Sequence, residues 1–202
     1  MALLAVPTTE TKLLNDIEEW MGLGPVQSVT VVPFGPSGLC YWNCDRYVEK
    51  YGGRTVYGWQ LLGIPKLFLV MVHHAVVETV TGQLIDPTTL NGAPQGKIGV
   101  ILDNSLIPSR DYPAYFPNRY LAYKGGAKAL HRFREADEYE LQVRRKIVQL
   151  GKNLGLKWHS GEGLKGVPLT NEYRKLDNEL KVAKRMMAKA IKFCRSVQAR
   201  IS

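Results

Sequence analysis

Two cysteines four residues apart, Cys40 and Cys44, follow a run of small and turn-forming residues in GPSGLCYWNC, residues 35–44. Three chemistries are open to such a pair: one thiol is a nucleophile, both are metal ligands, or both are core residues. A cysteine nucleophile needs surroundings that favour the thiolate, a base, and a group that orients the base. Cys40 follows a turn and opens a predicted helix, where backbone N–H groups and the helix dipole favour an anion. The same N–H groups can hold a developing oxyanion. Cys44 lies one turn further in, on the same side, and reads as packed.

The base would come from a strand. His73 and His74 are adjacent in LFLVMVHHAVVETV, so their side chains face opposite ways and only one of them can meet Cys40. Asp86 follows in QLIDPT, which reads as the returning arm of a β-hairpin. A three-residue connection, Val80-Thr81-Gly82, with Gly82 left-handed, pairs Val76 with Asp86 and puts His74 on the face of Asp86. A two-residue connection, Thr81-Gly82, flips the parity and puts His73 there instead. Spacing alone leaves both open.

The order cysteine, helix, histidine on a strand, aspartate on the next strand resembles papain-like and transglutaminase-like enzymes. HAVVETVTGQLIDPT is similar to the transglutaminase-like pattern of His-Ala, a glycine turn and Asp-Pro-Thr, and GLC to its Gly-x-Cys. The wider stretch, Phe34 to Thr89, also resembles small uncharacterised bacterial and phage proteins. The resemblance implies a Cys-His-Asp triad with Cys40 as nucleophile, His74 as base and Asp86 as the acid that orients it. Two positions depart from the patterns. Phe34 stands where papain-like peptidases carry an oxyanion-hole glutamine, and Val76 stands where transglutaminase-like sites often carry an aromatic residue. Trp42 and Asn43 are the nearby candidates for oxyanion or supporting contacts.

Blander roles compete with each of these. Cysteine is among the most buried residue types, and Asp86 before Pro87 can simply cap a turn. A zinc site from Cys40, Cys44, His73 and His74 would need both histidines on one side, and Cys-x3-Cys is not the common knuckle spacing. No metal and no organic cofactor is expected. His159 is a lone loop histidine without an assigned role.

The surrounding elements read as α+β: a small antiparallel sheet packed on the helix that carries Cys40 at its N-terminus, and a basic helical hairpin at the C-terminal end. Residues 11–21 have helical spacing; SVTVVPF reads as a short strand whose Pro33 marks an edge; LCYWNCDRYVEKYGG is a helix stopped by Gly52-Gly53, with Tyr47, Val48 and Tyr51 inward; KIGVILD is one more strand. Two long basic helical segments follow, joined by KWHSGEGLKGVPL. The expected division is a papain/transglutaminase-like core over 1–125 and a basic helical region over 126–202. In the last segment Leu176, Leu180, Ala183, Met187, Ala190, Cys194, Val197 and Ile201 form a seam. That seam suits a hairpin with the preceding helix, or a homodimer, and makes Cys194 a buried small hydrophobe.

Charge is unevenly placed. Residues 1–100 hold 6 Lys/Arg and 8 Asp/Glu, whereas residues 101–202 hold 21 and 10, so the net +9 belongs to the second half. A basic surface for an anionic partner, nucleic acid or an acidic protein, follows as one reading; a solvated helix face is the other. Tyr112, Tyr115, Phe116, Tyr120 and Tyr123, interleaved with Arg110, Arg119 and Lys124, suit either base stacking or a loop laid over the core. No run is apolar enough to span a bilayer, no signal peptide is expected from MALLAVPTTETK, and three cysteines suit a reducing cytoplasm. The expected function is a thiol-dependent hydrolase or acyltransferase acting on a protein or peptide amide (cysteine protease-like, deamidase or transglutaminase-like). The alternative is a nucleic-acid or acidic-protein binding module with an inactive or structural cysteine.

Overall fold

The computed structural model describes residues 4–5, 17–89, 96–159, 163–164 and 170–201. Helices and strands are mixed in an α+β architecture, and the chain forms two compact units. One holds the described residues up to Gly63 together with Met71–Pro108; the other holds Ile64–Val70 and the described residues of Ser109–Ser202.

The first unit opens with β1 (Leu4–Ala5) and the described part of a helix, α1, at residues 17–21. It continues with β2 (Val26–Gly35), α2 (Cys40–Tyr51), β3 (Arg54–Ile64) up to Gly63, β4 (Phe68–Glu78) from Met71 on, β5 (Leu84–Thr88) and β6 (Lys97–Leu102). The strands are ordered β1-β3-β6-β2-β5-β4, and β3 pairs with β4 as well, so five of them close on themselves. The expected antiparallel sheet is therefore corrected to a mixed one: β2 runs parallel to β5, with Thr30 opposite Ile85 and Val31 opposite Asp86. Such a pair needs a crossover, and here α2, β3 and β4 all lie between the two strands.

Pro33 lies where β2 has lost its β6 neighbour. β2 is bonded to β6 along Val26–Thr30 and to β5 at Thr30, Val31 and Gly35, so among the described residues Pro33 has β5 alone beside it, where the β2–β5 register breaks between Val31 and Gly35. An irregular stretch has no ladder position for the N–H that proline lacks, so it accommodates the residue inside a sheet. A strand in RTVYGWQLLGI, β3, is an addition to the predicted set. Val29, Val56, Val76, Ile98 and Val100 form the apolar cluster of this unit.

β4 is buried along nearly all its length, which explains its almost unbroken apolar sequence: a strand covered on both faces has no need of alternation. Helix α2 ends as expected, with Gly52 at φ 76° and its N–H bonded to the Val48 carbonyl. Its inward side differs. Tyr41, Asn43 and Cys44 are buried, whereas Tyr51 is 51% exposed.

In the second unit, β7 (Arg119–Ala122) precedes α3 (Ala127–Asn153), the short pair β8 (Trp158–His159) and β9 (Gly163–Leu164), and α4 (Asn171–Ile201). The seam residues of α4 that the structure describes, Leu176 to Val197, are buried or half-buried, and Cys194 donates to the Ala129 carbonyl of α3. Arg132 of α3 covers the Phe193 ring at 4.1 Å. Between β6 and α3 the aromatic segment is laid on helix α3: Tyr120 donates to Asp137 at 2.7 Å and Arg144 lies over Tyr115. Tyr112 donates to the Leu156 carbonyl. Phe133, 2% exposed, packs on Phe68 with ring centroids 5.1 Å apart. Phe133→Ala is expected to lower stability by about 3–5 kcal/mol, read as a fall in the urea midpoint; a loss under about 1 kcal/mol would show that this contact is peripheral.

Candidate active site

Hairpin geometry decides which histidine faces the aspartate. Val77 pairs with Ile85 and Glu78 with Leu84, and the Thr79 N–H donates to the Gln83 carbonyl at 2.9 Å. This is the three-residue connection, with Gly82 at φ 78°, a left-handed position that glycine adopts without strain. His74 and Asp86 therefore share the face of Val76, and His73 takes the other.

On that inner face the His74 Nε2 and Asp86 Oδ2 atoms are 2.9 Å apart, with His74 6% and Asp86 0% exposed. Asp86 uses its second oxygen to accept the Thr88 N–H at 2.8 Å. It thus caps its own turn and holds the imidazole at once. Cys40 is the other group beside the same imidazole, close enough for its sulfur to act on the ring's charge. With Nε2 engaged by Asp86, Nδ1 is the ring nitrogen available to the sulfur. Burial by itself pushes the His74 pKa down, but the Asp86 carboxylate and the Cys40 sulfur outweigh it and raise it well above its ordinary value.

The parallel β2–β5 pair brings the cysteine loop to the aspartate strand. Gly35, at the end of β2, stands opposite Thr88 and accepts the Thr89 N–H, and only residues 36–39 separate it from α2. Asn43 fastens this loop: its Nδ2 donates to the Pro36 carbonyl at 2.8 Å and to Thr88 Oγ1 at 3.2 Å. A Cβ on Gly35 would run into the Asn43 amide oxygen, so this close approach needs glycine. The Asn43 amide protons are directed at the scaffold rather than at the sulfur. Trp42 is half-buried on α2, and Cys44 is fully buried. No side chain caps the start of α2.

His73 occupies a different environment. Its Nδ1 lies 2.8 Å from the Tyr41 hydroxyl, and the Tyr57 ring stacks on it with centroids 6.2 Å apart. Trp59 meets it edge-on at 5.4 Å. Because the two histidines face apart and Cys44 is packed, the four residues weighed as zinc ligands are not gathered; no metal-ligand cluster of three or more His, Cys, Asp or Glu side chains occurs among the described residues. Tyr41 is the residue of this region that sequence reasoning passed over. Its only signal was its place beside Cys40.

Burial lowers the His73 pKa to about 4, the Leu106 backbone and Asp103 opposing the shift. The unfolded chain binds the proton near 6.5 and the folded one does not, so stability falls as pH drops from 6.5 toward 4, by roughly 3 kcal/mol. In urea unfolding between pH 7 and 4, the wild type should lose that much more than His73→Gln. Equal losses would show that His73 titrates normally.

Set against models of known protein families, curated proteins and solved structures, the chain matches none. No helix among the described residues is long and apolar enough to cross a membrane.

Proposed function

We propose that the protein is a thiol-dependent acyl-transfer enzyme acting on an amide, as a peptidase, deamidase or transglutaminase-like enzyme. The observation that carries this reading is one buried imidazole hydrogen-bonded to Asp86, at 2.9 Å, with the Cys40 sulfur near enough to favour its charged form. In the proposed cycle the Cys40 sulfur attacks the substrate carbonyl. The imidazolium of His74 gives its proton to the leaving amine or ammonia, and a thioester forms on Cys40. Neutral His74 then takes a proton from water, or from an acceptor amine, as that molecule attacks the thioester. Asp86 holds the ring in place and stabilises its charged form. The N–H groups of the first turn of α2 would receive the oxyanion that develops on the substrate. A cytoplasmic location and a protein or peptide substrate belong to the same reading.

An activated ester tests it without knowledge of the substrate. p-Nitrophenyl acetate should give a burst of nitrophenol and one acetyl group that peptide mapping places on Cys40. Cys40→Ala should give neither. Acetylation spread over surface lysines, with Cys40 unmodified, would refute the proposal.

A second reading concerns the basic helices. From residue 180 to the end, α4 carries seven Lys/Arg and no Asp/Glu, and Lys184, Arg185, Lys189 and Lys192 are exposed. This supports attraction of an anionic partner, nucleic acid or an acidic protein. Such binding would survive Cys40→Ala and weaken steeply with salt.

A further inference from the structure

Two neighbouring residues of α2 meet two neighbouring residues of β4. Cys40 lies beside His74, whose charged form its sulfur favours, and the Tyr41 hydroxyl lies 2.8 Å from His73 Nδ1. Since His73 and His74 project from opposite faces of their strand, the start of the helix grips β4 from both sides. The reading of Cys40 and His74 as nucleophile and base uses only one side of this grip.

The other side is built to be rigid. His73 and Tyr41 are 6% and 8% exposed. The imidazole is stacked by Tyr57, at an interplanar angle of 17°, and met edge-on by Trp59, at 89°. Trp59 donates its indole N–H to Asp103 Oδ2 at 2.9 Å, and Asp103 Oδ1 accepts the Ser105 N–H. The Tyr57 N–H is held by Asn104 Oδ1 at 2.9 Å. Burial keeps His73 neutral down to about pH 4, so the ring meets the phenol in one charge state across the neutral range. With no side-chain cap at Leu39, the first turn of α2 gains its fixed position from contacts such as this one.

We propose that Tyr41 and His73 are a positioning pair: their hydrogen bond locks the first turn of α2 onto β4 and thereby holds the Cys40 sulfur against His74. The pair touches no substrate and acts through the thiol, and the proposal rests on the catalytic reading of Cys40 and His74. Misplacing a reacting atom by about 1 Å can cost two orders of magnitude in rate, so loss of one anchoring bond should be visible at the sulfur.

Tyr41→Phe keeps the ring and removes the bond. The measurement is the pH–rate profile of Cys40 alkylation by iodoacetamide, site-mapped by mass, together with the 15N resonances of the His74 imidazole across the same pH range. The expected result is alkylation at least about tenfold slower than wild type near neutrality, with displaced His74 resonances, in a protein that remains folded by circular dichroism. A rate within twofold of wild type with unmoved His74 resonances would overturn the proposal, even if the melting temperature fell, because that pattern belongs to a purely structural bond. If Tyr41→Phe does not fold, His73→Phe, which keeps a ring at this position and removes the partner of the phenol, gives the same comparison. Failure of the catalytic reading would show separately, as wild-type alkylation no faster than that of His74→Ala. In that case the positioning role falls with the catalytic reading, whatever the Tyr41→Phe resonances show.

Discussion

His74→Ala is expected to slow iodoacetamide alkylation of Cys40 at pH 7 by at least about 100-fold, the lower range of what a positioned acid–base group contributes. The physical reason lies in the charge state of the imidazole. His74 is buried, yet Asp86 and Cys40 hold its pKa well above the ordinary value, so the charged form of the ring is favoured beside the sulfur. A cysteine reacts as its thiolate, and a base positioned beside the sulfur takes up the proton. Alanine removes that base from the pocket and leaves only the field of the helix start. Cys44 and Cys194 are fully buried, so intact mass followed by peptide mapping isolates the partly exposed Cys40. A rate in His74→Ala within a few-fold of wild type would show that the thiol is not activated by this histidine. The acyl-transfer reading would then fail.

The second large effect belongs to Asp86. Asp86→Ala removes both the partner of His74 Nε2 and the acceptor of the Thr88 N–H. Taking one member from a buried charged pair leaves the other uncompensated, at a cost of about 3–5 kcal/mol. Urea unfolding at pH 6 should show a loss of that size. Asp86→Asn, which retains an acceptor for Thr88, should lose less. A loss below about 1 kcal/mol for alanine would mean that His74 is neutral and the pair contributes little.

The pH dependence has a definite sign. A histidine whose folded pKa is raised stabilises the fold fully below its unfolded value near 6.5, and this contribution fades as pH rises through the folded value. His74 therefore weakens the wild type toward alkaline pH, whereas His73 weakens it toward acid. Two adjacent histidines on one strand have their pKa values shifted in opposite directions. One faces a carboxylate and a sulfur; the other sits among aromatic rings.

Much of the site was legible in local patterns. The turn-rich GPSGLC followed by a helix, the apolar run around His73-His74, and Asp86 in a glycine-turned hairpin are short-range features, and each chooses its local structure from its own residues. The long basic helices were legible for the same reason, since their period is 3.6 residues and their apolar seam is regular. The alternation of β4 was not informative, because a strand buried on both faces loses its period. Pro33 was informative: proline reports a missing donor, and it falls past Thr30, where β2 no longer pairs with β6.

By itself the sequence determined the local elements, the single helix-opening cysteine, the pair of candidate histidines and the basic second half. These depend on residue types within a few positions of each other. Only the tertiary structure decided which histidine meets Asp86, through a hairpin register that a one-residue change in the turn would invert. It also decided that β2 runs parallel to β5, which carries the cysteine loop to Thr88 across more than forty residues of chain. That pairing, and the meeting of Tyr41 with His73, are contacts between distant segments. Their partners are chosen by packing, and no local preference encodes them.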